Sequence, residues 1–334
     1  MSNKSVLKKE KISLWLKDGI NESFPNLKSD ISCDICIVGA GLAGITLAYI
    51  LSGLDFDVVL IDSGTPMNLT SGNTTAKFTF QHDLIYSNII DNYGLDEAKL
   101  YYEAQVKGME FVRNIVDEYN IDCDFKNTYS MLYAENEEQF EEIEKEYEAY
   151  NKLNIPCELV GNMPYGISGI GGLKVYNQFC LNPVKYSNFL LKKLKENNVR
   201  IFQNTNAVDV DIDDDFKTLI TEDDHQIAAN KIVVATGYPF LDKIGLYYTR
   251  LEAYRSYLVA FPISDEVEDY WMLISNSISP YSIRFSDTDG QKYLLVGGRG
   301  HKVGQESSAK ESYNELINFG QEHFNVQDIE YRWS

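Results

Sequence analysis

The sequence is short of basic residues and cysteines, and it contains no long apolar run. Thirty Lys and Arg face 50 Asp and Glu, so the formal net charge is −20. A surface of this sign repels phosphate backbones and anionic lipids, which argues against nucleic-acid binding. No run approaches the roughly 20 apolar residues that span a bilayer, and the Lys-rich start lacks the apolar core of a signal peptide. We therefore expect a cytoplasmic protein with no membrane segment and no nucleic-acid partner.

The five cysteines are too sparse for a disulfide framework. Cys33 and Cys36 form a CxxC, a spacing found in redox and metal sites, but they lie on the first predicted strand. Residues three apart on a strand point to opposite faces, so we expect both thiols to serve packing. The sequence has no Cys-x-His pair, so the chain alone lacks the ligands of a Rieske cluster. We predict no metal site.

Aromatic residues are abundant, with 23 Tyr, 16 Phe and 3 Trp in 334 residues. This composition is typical of a folded globular protein, and the length allows two domains.

A strand, a glycine-rich turn, a helix, a second strand and an acidic residue follow one another early in the chain. Ile35–Val38 is an apolar run, Gly39–Gly44 reads GxGxxG, and Ile45–Leu51 has helical character. Val58–Ile61 is a second buried run that ends at Asp62. This order is typical of a dinucleotide-binding βαβ unit.

Each glycine of this motif has a physical role. Gly39 permits the tight turn, Gly41 lets a pyrophosphate approach the backbone, and Gly44 lets the helix pack closely on the strand. The free N–H groups at the helix start favour a diphosphate. Asp62, 23 residues after Gly39, is placed to accept hydrogen bonds from an adenosine ribose.

The motif alone does not choose between NAD and FAD. A loop rich in Thr, Ser, Gly and Asn follows at 64–82, in place of a second Rossmann half. A further buried strand with a small-residue turn, Val233–Gly237, returns much later in the chain. Both features favour FAD, and an NAD-dependent dehydrogenase is the less favoured alternative.

The rest of the chain mixes helical and strand patterns. We therefore predict an α/β fold: a Rossmann-like FAD-binding domain and an interleaved α+β substrate domain of mixed β-sheet and helices. The predicted helices are 95–119, 136–150, 182–195 and 308–319, and the later strands are 129–134, 173–176, 200–210, 218–223, 231–235, 257–261, 281–285 and 293–296.

Several of these segments together resemble the D-amino-acid oxidase (DAO) type of FAD-dependent oxidoreductase. They are Gly39–Gly44, Asp62, Thr70–Lys77, Asn182-Pro183 and Ala235–Gly237. The similarity runs from about residue 12 to the last residue.

A narrower resemblance rests on Ser71–Lys77, Gln81-His82 and Ile85-Tyr86. These are similar to the subgroup of bacterial DAO-type proteins that are fused to a C-terminal Rieske [2Fe–2S] domain. A Rieske-type electron acceptor, as a domain or a partner chain, is therefore an implied partner.

The resemblance implies the cofactor contacts. The glycine-rich turn and Gly237 would lie at the pyrophosphate, two residues after the second strand would hold the adenosine ribose, a loop would run under the flavin, and one main chain would meet adenine. The residues implied at the pyrophosphate are Gly39, Ala40, Gly41, Gly44 and Gly237, and those implied at the ribose are Asp62 and Ser63. The loop under the flavin would contribute Thr70, Ser71, Thr74, Thr75 and Ala76, and the main chain of Val208 would contact adenine.

We expect the following domain organisation from the pattern and the resemblance. Residues 1–30 form an N-terminal arm. Residues 31–85 and 177–245 form the FAD-binding domain, and residues 86–176 and 246–334 form the substrate domain. The family's C-terminal closing segment, roughly Asp-Gly-x-Pro and a glycine-rich strand and helix, comes shortly after a Trp such as Trp333. It is not part of this sequence, so we expect a truncated chain.

The resemblance implies oxidation of a C–N bond in a small amine or amino acid, with hydride transfer to flavin N5. Arg255 or Arg284 could bind a carboxylate, and Tyr257 or Tyr281 could donate hydrogen bonds to a substrate, although each is also explained by a structural role. The strands after residue 245 carry all four.

Three further features have two interpretations each. His82 could touch the flavin edge or be structural, and Lys77 could lie near the flavin N1–C2=O or pair with a carboxylate. Gly297–His301 lacks the Lys-Ser/Thr end of a P-loop, so it is better explained as a strand end and turn.

Four hypotheses for the whole chain follow. The first is an FAD-dependent amine or amino-acid oxidoreductase. The others are a truncated non-catalytic protein, a flavoprotein subunit completed by another chain, and an NAD-dependent dehydrogenase.

Overall fold

The computed structural model describes residues 11–212, 217–241, 246–264, 270–304 and 308–334. Its helices are α1 (Leu42–Ser52), α2 (Ile85–Tyr93), α3 (Leu95–Tyr119), α4 (Glu137–Lys152), α5 (Pro183–Glu196) and α6 (Ala309–His323). Its strands are β1 (Ile31–Val38), β2 (Val58–Ile61), β3 (Lys77–Phe78), β4 (Lys126–Ala134), β5 (Cys157–Val160), β6 (Gly171–Cys180), β7 (Arg200–Phe202), β8 (Ala207–Ile212), β9 (Lys217–Thr221), β10 (Gln226–Val234), β11 (Tyr254–Ile263), β12 (Trp271–Ser275), β13 (Tyr281–Thr288), β14 (Gln291–Lys302) and β15 (Tyr331–Trp333).

The chain divides into two compact units. The Rossmann unit contains Trp15–Thr74 and Pro183–Glu252, and the sheet unit contains the described residues up to Leu14 together with Thr75–Asn182 and Ala253–Ser334. The first boundary therefore falls at Thr74/Thr75 rather than at the expected 85/86, because β3 pairs with β6 inside the sheet unit.

The arm also differs from the expectation. Its residues from Trp15 onward belong to the Rossmann unit. The N–H groups of Phe24 and Leu27 donate to the side chains of Gln203 and Thr205 in that unit. These bonds hold a segment that the sequence indicated only as a loosely structured arm.

The Rossmann unit is built on a six-stranded sheet of order β7-β2-β1-β10-β9-β8. The first four strands are parallel, and β9 and β8 are antiparallel. Ile35–Val38 of β1 and all of β2 are buried and apolar, as strands covered on both faces must be. Since Val38 pairs with Val234, the turn after β10 lies at the same sheet edge as the glycine-rich turn after β1. The α/β prediction is confirmed.

The sheet unit is built on a nine-stranded mixed sheet of order β15-β11-β14-β13-β12-β4-β6-β3, with β5 paired to β6. Two apolar clusters cover it. One packs Phe261 and Val296 against Leu316 of α6, and the other packs Leu132 and Leu173 beside α2, α3 and α4.

Helix α2 has a long-range cap. It was not predicted as a helix, and Leu84 at its start provides no side-chain cap. Glu146 of α4, which is fully buried, accepts from the N–H groups of Tyr86 at 2.9 Å and Ser87 at 2.7 Å. A carboxylate at a helix N-terminus satisfies donors that have no partner within the helix.

The expectation that Cys33 and Cys36 point to opposite faces is wrong. The N–H groups of Asp34 and Ile35 both donate to the carbonyl oxygen of Asp57, so two consecutive residues of β1 oppose the one residue that precedes β2. This β-bulge interrupts the alternation of side chains. Both cysteines therefore pack on the same apolar cluster, and both are free thiols.

Candidate functional site

The glycine-rich turn is required by the packing of the chain itself. Gly39 has φ +108°, and a Cβ atom there would lie 2.7 Å from the carbonyl oxygen of Ala235. A Cβ atom on Gly44 would lie 1.9 Å from the carbonyl oxygen of Gly39. Both positions are closed to any side chain, because helix α1 starts directly against the end of β1 and the turn after β10.

The N-terminus of α1 is held by a distant hydroxyl. Gly41 precedes the helix and has no side chain to cap it. The N–H of Leu42 donates instead to Ser71 Oγ at 3.0 Å. A Cβ atom on Gly41 would lie 2.8 Å from the same oxygen. Gly41 therefore leaves room for the Ser71 hydroxyl beside the first helix amide, at a helix N-terminus of the kind that binds phosphate groups.

Asp62 is fixed at the end of β2 by two main-chain donors. Its Oδ2 accepts from the N–H of Ala40 at 2.7 Å, and its Oδ1 accepts from the N–H of Gly64 at 2.8 Å. Each carboxylate oxygen keeps a further lone pair. The side chain is thus oriented beside the glycine-rich turn and able to accept from ribose hydroxyls. Ser63, the neighbouring predicted contact, is exposed.

Thr236 lies in the turn after β10 and was not singled out from the sequence. Its hydroxyl is buried and has no hydrogen-bond partner among the described residues. The next residue, Gly237, is at a turn where an added Cβ atom would lie 3.8 Å from Thr70 Oγ1. A buried orphan hydroxyl costs free energy, so a polar ligand at this edge fits the site. The small-residue turn after a buried strand was the sequence signal.

Val208 lies on the antiparallel edge of the same sheet. The pairing of β8 with β9 shifts between Ala207 and Asp209, so Val208 is skipped, and its side chain is 44% exposed. This position suits the predicted main-chain contact with adenine, which stays a prediction.

The end of the predicted flavin loop is anchored on main-chain oxygens. In the Rossmann unit, Trp15 Nε1 donates to the oxygen of Thr74 at 2.8 Å. In the sheet unit, Arg284 Nη1 donates to the oxygens of Thr75 at 2.8 Å and Ala76 at 2.6 Å. Ala76 is buried and has φ +53°, a conformation that L-residues rarely adopt.

Arg284 and Lys77 place two cations beside this loop end. Arg284 is 2% exposed, and burial lowers its pKa. Lys77 is partly exposed, but its Nζ atom is buried. This atom donates to the main-chain oxygen of Leu273 at 2.8 Å and to Ser282 Oγ at 2.7 Å. Burial, and secondly the charge of Arg284, lower the pKa of Lys77 to about 7. Arg284 therefore carries the positive charge at this place, and Lys77 adds a second charge only below about pH 7.

The sheet separates the other candidates from this pair. Tyr257 and Tyr281 belong to the face that packs on α6, where Tyr257 meets Tyr313 edge-on and Tyr281 stacks on Phe319. Since side chains alternate along β13, Ser282 and Arg284 share a face that Tyr281 does not. The structure therefore does not bring the two tyrosines together with the cations.

The remaining candidates are also apart from this pair. Arg255 is exposed at a bulge of β11. His82 is exposed, and its Nδ1 is 2.9 Å from the hydroxyl of Tyr101. Gly297–His301 is not a strand end, because β14 continues through it to Lys302. Within it, Arg299 forms an ion pair with Glu315 of α6.

The family model described as FAD dependent oxidoreductase (DAO) matches residues 34–334. This chain belongs to the DAO family of FAD-dependent oxidoreductases. The predicted family, with FAD as its cofactor, is thereby confirmed. The glycine turn, Asp62 and Thr236 have the geometry described above, which is compatible with FAD.

Three relatives show how far the likeness extends. The chain is 34% identical over 334 residues to the Bacillus subtilis (strain 168) protein named putative Rieske 2Fe-2S iron-sulfur protein YhfW, a match that covers 100% of this chain and 65% of that protein. It is 28% identical over 129 residues to γ-glutamylputrescine oxidoreductase of Escherichia coli (strain K12), covering 39% of this chain and 30% of that one. The structure of glycine oxidase from Bacillus cereus ATCC 14579 matches with TM-score 0.65 at 14% identity, over 90% of this chain and 81% of that one. The chain thus spans less than two thirds of the length of the curated relatives named here.

Within the described residues, no helix is both long and apolar enough to cross a membrane. No cluster of three or more His, Cys, Asp or Glu side chains in those parts of the chain could hold a metal ion.

Proposed function

We propose that this chain is the flavin-binding part of an oxidoreductase that oxidises a C–N bond of a small amine or amino acid. When bound, FAD supplies the hydride acceptor, the flavin N5 atom. The protein then has to hold the cofactor, orient the substrate and place charge beside the reacting groups.

The Rossmann unit would hold the adenosine diphosphate part. The amides at the start of α1 and the hydroxyls of Ser71 and Thr236 would bind the diphosphate, and the anchored carboxylate of Asp62 would accept hydrogen bonds from the ribose. The absence of a side chain at Gly41 leaves room for the Ser71 hydroxyl beside these amides.

The observation that carries the substrate class is the cationic pair of Arg284 and Lys77 beside Thr75 and Ala76. The loop containing those two residues is the one expected under the flavin. Arg284 fixes it through main-chain oxygens, and its charge, joined below about pH 7 by that of Lys77, favours an anionic group close by. A carboxylate-bearing amine fits this arrangement, and the likeness to γ-glutamylputrescine oxidoreductase supports the same class.

The test uses the purified chain with FAD under anaerobic conditions. We expect flavin absorption bands that bleach on addition of an amine or amino acid from a panel of such compounds. A matched panel of hydroxy acids and alcohols supplies C–O bonds of similar size. Bleaching by the hydroxy compounds alone would contradict the proposed C–N chemistry. A protein that takes up no flavin from added FAD would favour the non-catalytic chain or a subunit that needs a partner.

The likeness to a protein named for a Rieske centre favours a second proposal, for the electron acceptor. We propose that electrons leave the reduced flavin to a Rieske-type [2Fe–2S] domain or partner. Reoxidation of the substrate-reduced flavin by oxygen should then be slow, and reoxidation by a one-electron acceptor such as ferricenium should be fast. Rapid reoxidation by oxygen would instead identify an oxidase.

A further inference from the structure

Cys33 and Cys36 form a dithiol that the proposed function does not use. They lie on β1, whose C-terminal end carries the glycine-rich turn; Cys33 is near the N-terminal end of this strand, and Cys36 is three residues before Gly39. The β-bulge at Asp34 and Ile35 brings the two side chains to one face.

The two thiols differ in access and interact with each other. Cys36 is fully buried, whereas Cys33 is partly exposed. The S–H of Cys36 hydrogen bonds to the sulfur of Cys33, and this bond lowers the pKa of Cys33 while it raises that of Cys36. The partly exposed thiol is thus the one that ionises more readily, and a thiolate is the reactive form of cysteine.

The charges around Cys33 support the same assignment. Arg200 is the nearby cation, and its charge further lowers the pKa of Cys33. Burial and the carboxylates of Asp57 and Asp34 act in the opposite direction, but the pKa of Cys33 is still lowered. Asp57 is paired with Arg200 at 2.7 Å, and Asp34 accepts from the N–H of Asp57 at 2.9 Å and from Asn230 Nδ2 at 3.1 Å.

We propose that Cys33 is a redox-sensitive thiol that reacts with hydroperoxides, with Cys36 as its activating hydrogen-bond donor. The Cys33 thiolate attacks one oxygen of hydrogen peroxide, an S–O bond forms, and the O–O bond breaks. Hydroxide leaves and takes up a proton as water. The sulfur is oxidised by two electrons to a sulfenic acid, and the peroxide is reduced.

Cys157 provides an internal control. It is also a partly exposed free thiol, but burial raises its pKa and it has no thiol neighbour of this kind. The pH dependence of alkylation by iodoacetamide, read by peptide mass spectrometry, compares the two in one sample. The pH midpoint depends on ionisation and not on access. We expect the alkylation rate of Cys33 to reach its half-maximal value at a lower pH than that of Cys157. A difference of roughly one pH unit corresponds to about tenfold more thiolate on Cys33 at neutral pH.

Oxidation is tested on the same protein with FAD bound. After brief treatment with dilute hydrogen peroxide, a dimedone adduct should form on the Cys33 peptide at least several-fold more than on the Cys157 peptide. A Cys33–Cys36 disulfide that dithiothreitol reverses would also support the assignment, because it forms from the same sulfenic acid. Replacement of the donor in Cys36→Ala should raise the Cys33 midpoint. Equal midpoints of Cys33 and Cys157 in the wild-type chain, or equal labelling of their peptides, would overturn the proposal without any variant.

Discussion

Arg284 Nη1 lies 2.6 Å from the main-chain oxygen of Ala76. The same nitrogen reaches the oxygen of Thr75, and these contacts hold Ala76 in the left-handed region at φ +53°. That conformation costs an L-residue roughly 1–2 kcal/mol. The guanidinium therefore acts as a positioning group for the predicted flavin loop and not as an exposed clamp for a substrate.

Substitution of this arginine should weaken FAD binding. In Arg284→Met the two main-chain oxygens lose their charged donor, at roughly 1.5–3 kcal/mol per bond, so we expect the Kd for FAD to rise by about tenfold or more. Flavin fluorescence titration measures this. Arg255→Met, at an exposed position, is the matched control and should bind FAD normally. Ala76→Gly in the Arg284→Met background should recover part of the affinity, since glycine adopts positive φ without strain. Unchanged affinity in Arg284→Met would contradict the positioning role.

Two glycines of the turn should respond differently to the same substitution. Gly44→Ala puts a methyl group 1.9 Å from a main-chain oxygen, so we expect a loss of roughly 3 kcal/mol or more in unfolding free energy. Gly41→Ala meets only the movable hydroxyl of Ser71, so the fold should remain stable while FAD binding falls. Urea denaturation and FAD titration of both variants separate the effects. A stable Gly44→Ala protein would show that α1 does not depend on this contact.

Lys77 should make stability depend on pH between 7 and 10. Its pKa in the folded chain is about 7, below the ordinary lysine value of 10.5, because burial disfavours the charged form. The unfolded chain therefore binds more protons in this window, and stability should rise with pH. Urea unfolding at several pH values, compared with Lys77→Met, isolates this contribution from other groups. We expect the free energy of unfolding of the wild type to increase relative to that of the variant as pH rises from 7. A constant difference would show that Lys77 keeps an ordinary pKa.

Glu146 should be essential to the position of α2. Glu146→Ala leaves the N–H groups of Tyr86 and Ser87 without their acceptor, and we expect a loss of about 2–4 kcal/mol in unfolding free energy. Glu144→Ala, at an exposed position of the same helix, should change stability by less than about 0.5 kcal/mol. Equal effects of the two substitutions would mean that the cap contributes little.

Glu146 also has a pH signature of the opposite sign to Lys77. Burial raises its pKa, so the folded chain binds a proton more readily than the unfolded chain. Its contribution to stability should therefore decline as pH rises through the range just above 4.5, the value of an unperturbed Glu. Comparison with Glu146→Gln, which cannot titrate, measures this dependence.

Much of the Rossmann unit was predictable because its pattern is local. The motif formed by Gly39, Gly41, Gly44 and Asp62 spans only one strand, one helix and the next strand. The close contacts of these residues in the structure explain why each residue type is needed at its position. The long helix α3 has the predicted bounds, Leu95–Tyr119, since its apolar stripe repeats at the helical period. These features depend on residues that are neighbours in sequence.

The candidate site in the sheet unit was predicted only as a set of residue types. From the sequence, Arg284, Tyr257 and Tyr281 were equivalent candidates, because a strand pattern does not show which face meets which partner. The pairing of β14 with both β13 and β11 decides this, and it places the two tyrosines on the face that packs against α6. The partner of Arg284 is 208 residues away, beyond any local pattern.

The sequence by itself determined the dinucleotide-binding motif, the helices with a clear apolar period and the family likeness. In each case short-range spacing sets the backbone geometry. Only the tertiary structure decided that Arg284 anchors Ala76, that Glu146 caps α2, and that Cys33 and Cys36 share a face. Each depends on a main-chain group or carboxylate brought from another part of the chain, such as the carbonyl of Asp57 that creates the bulge. Long-range packing selects those partners, and side-chain alternation along one strand does not.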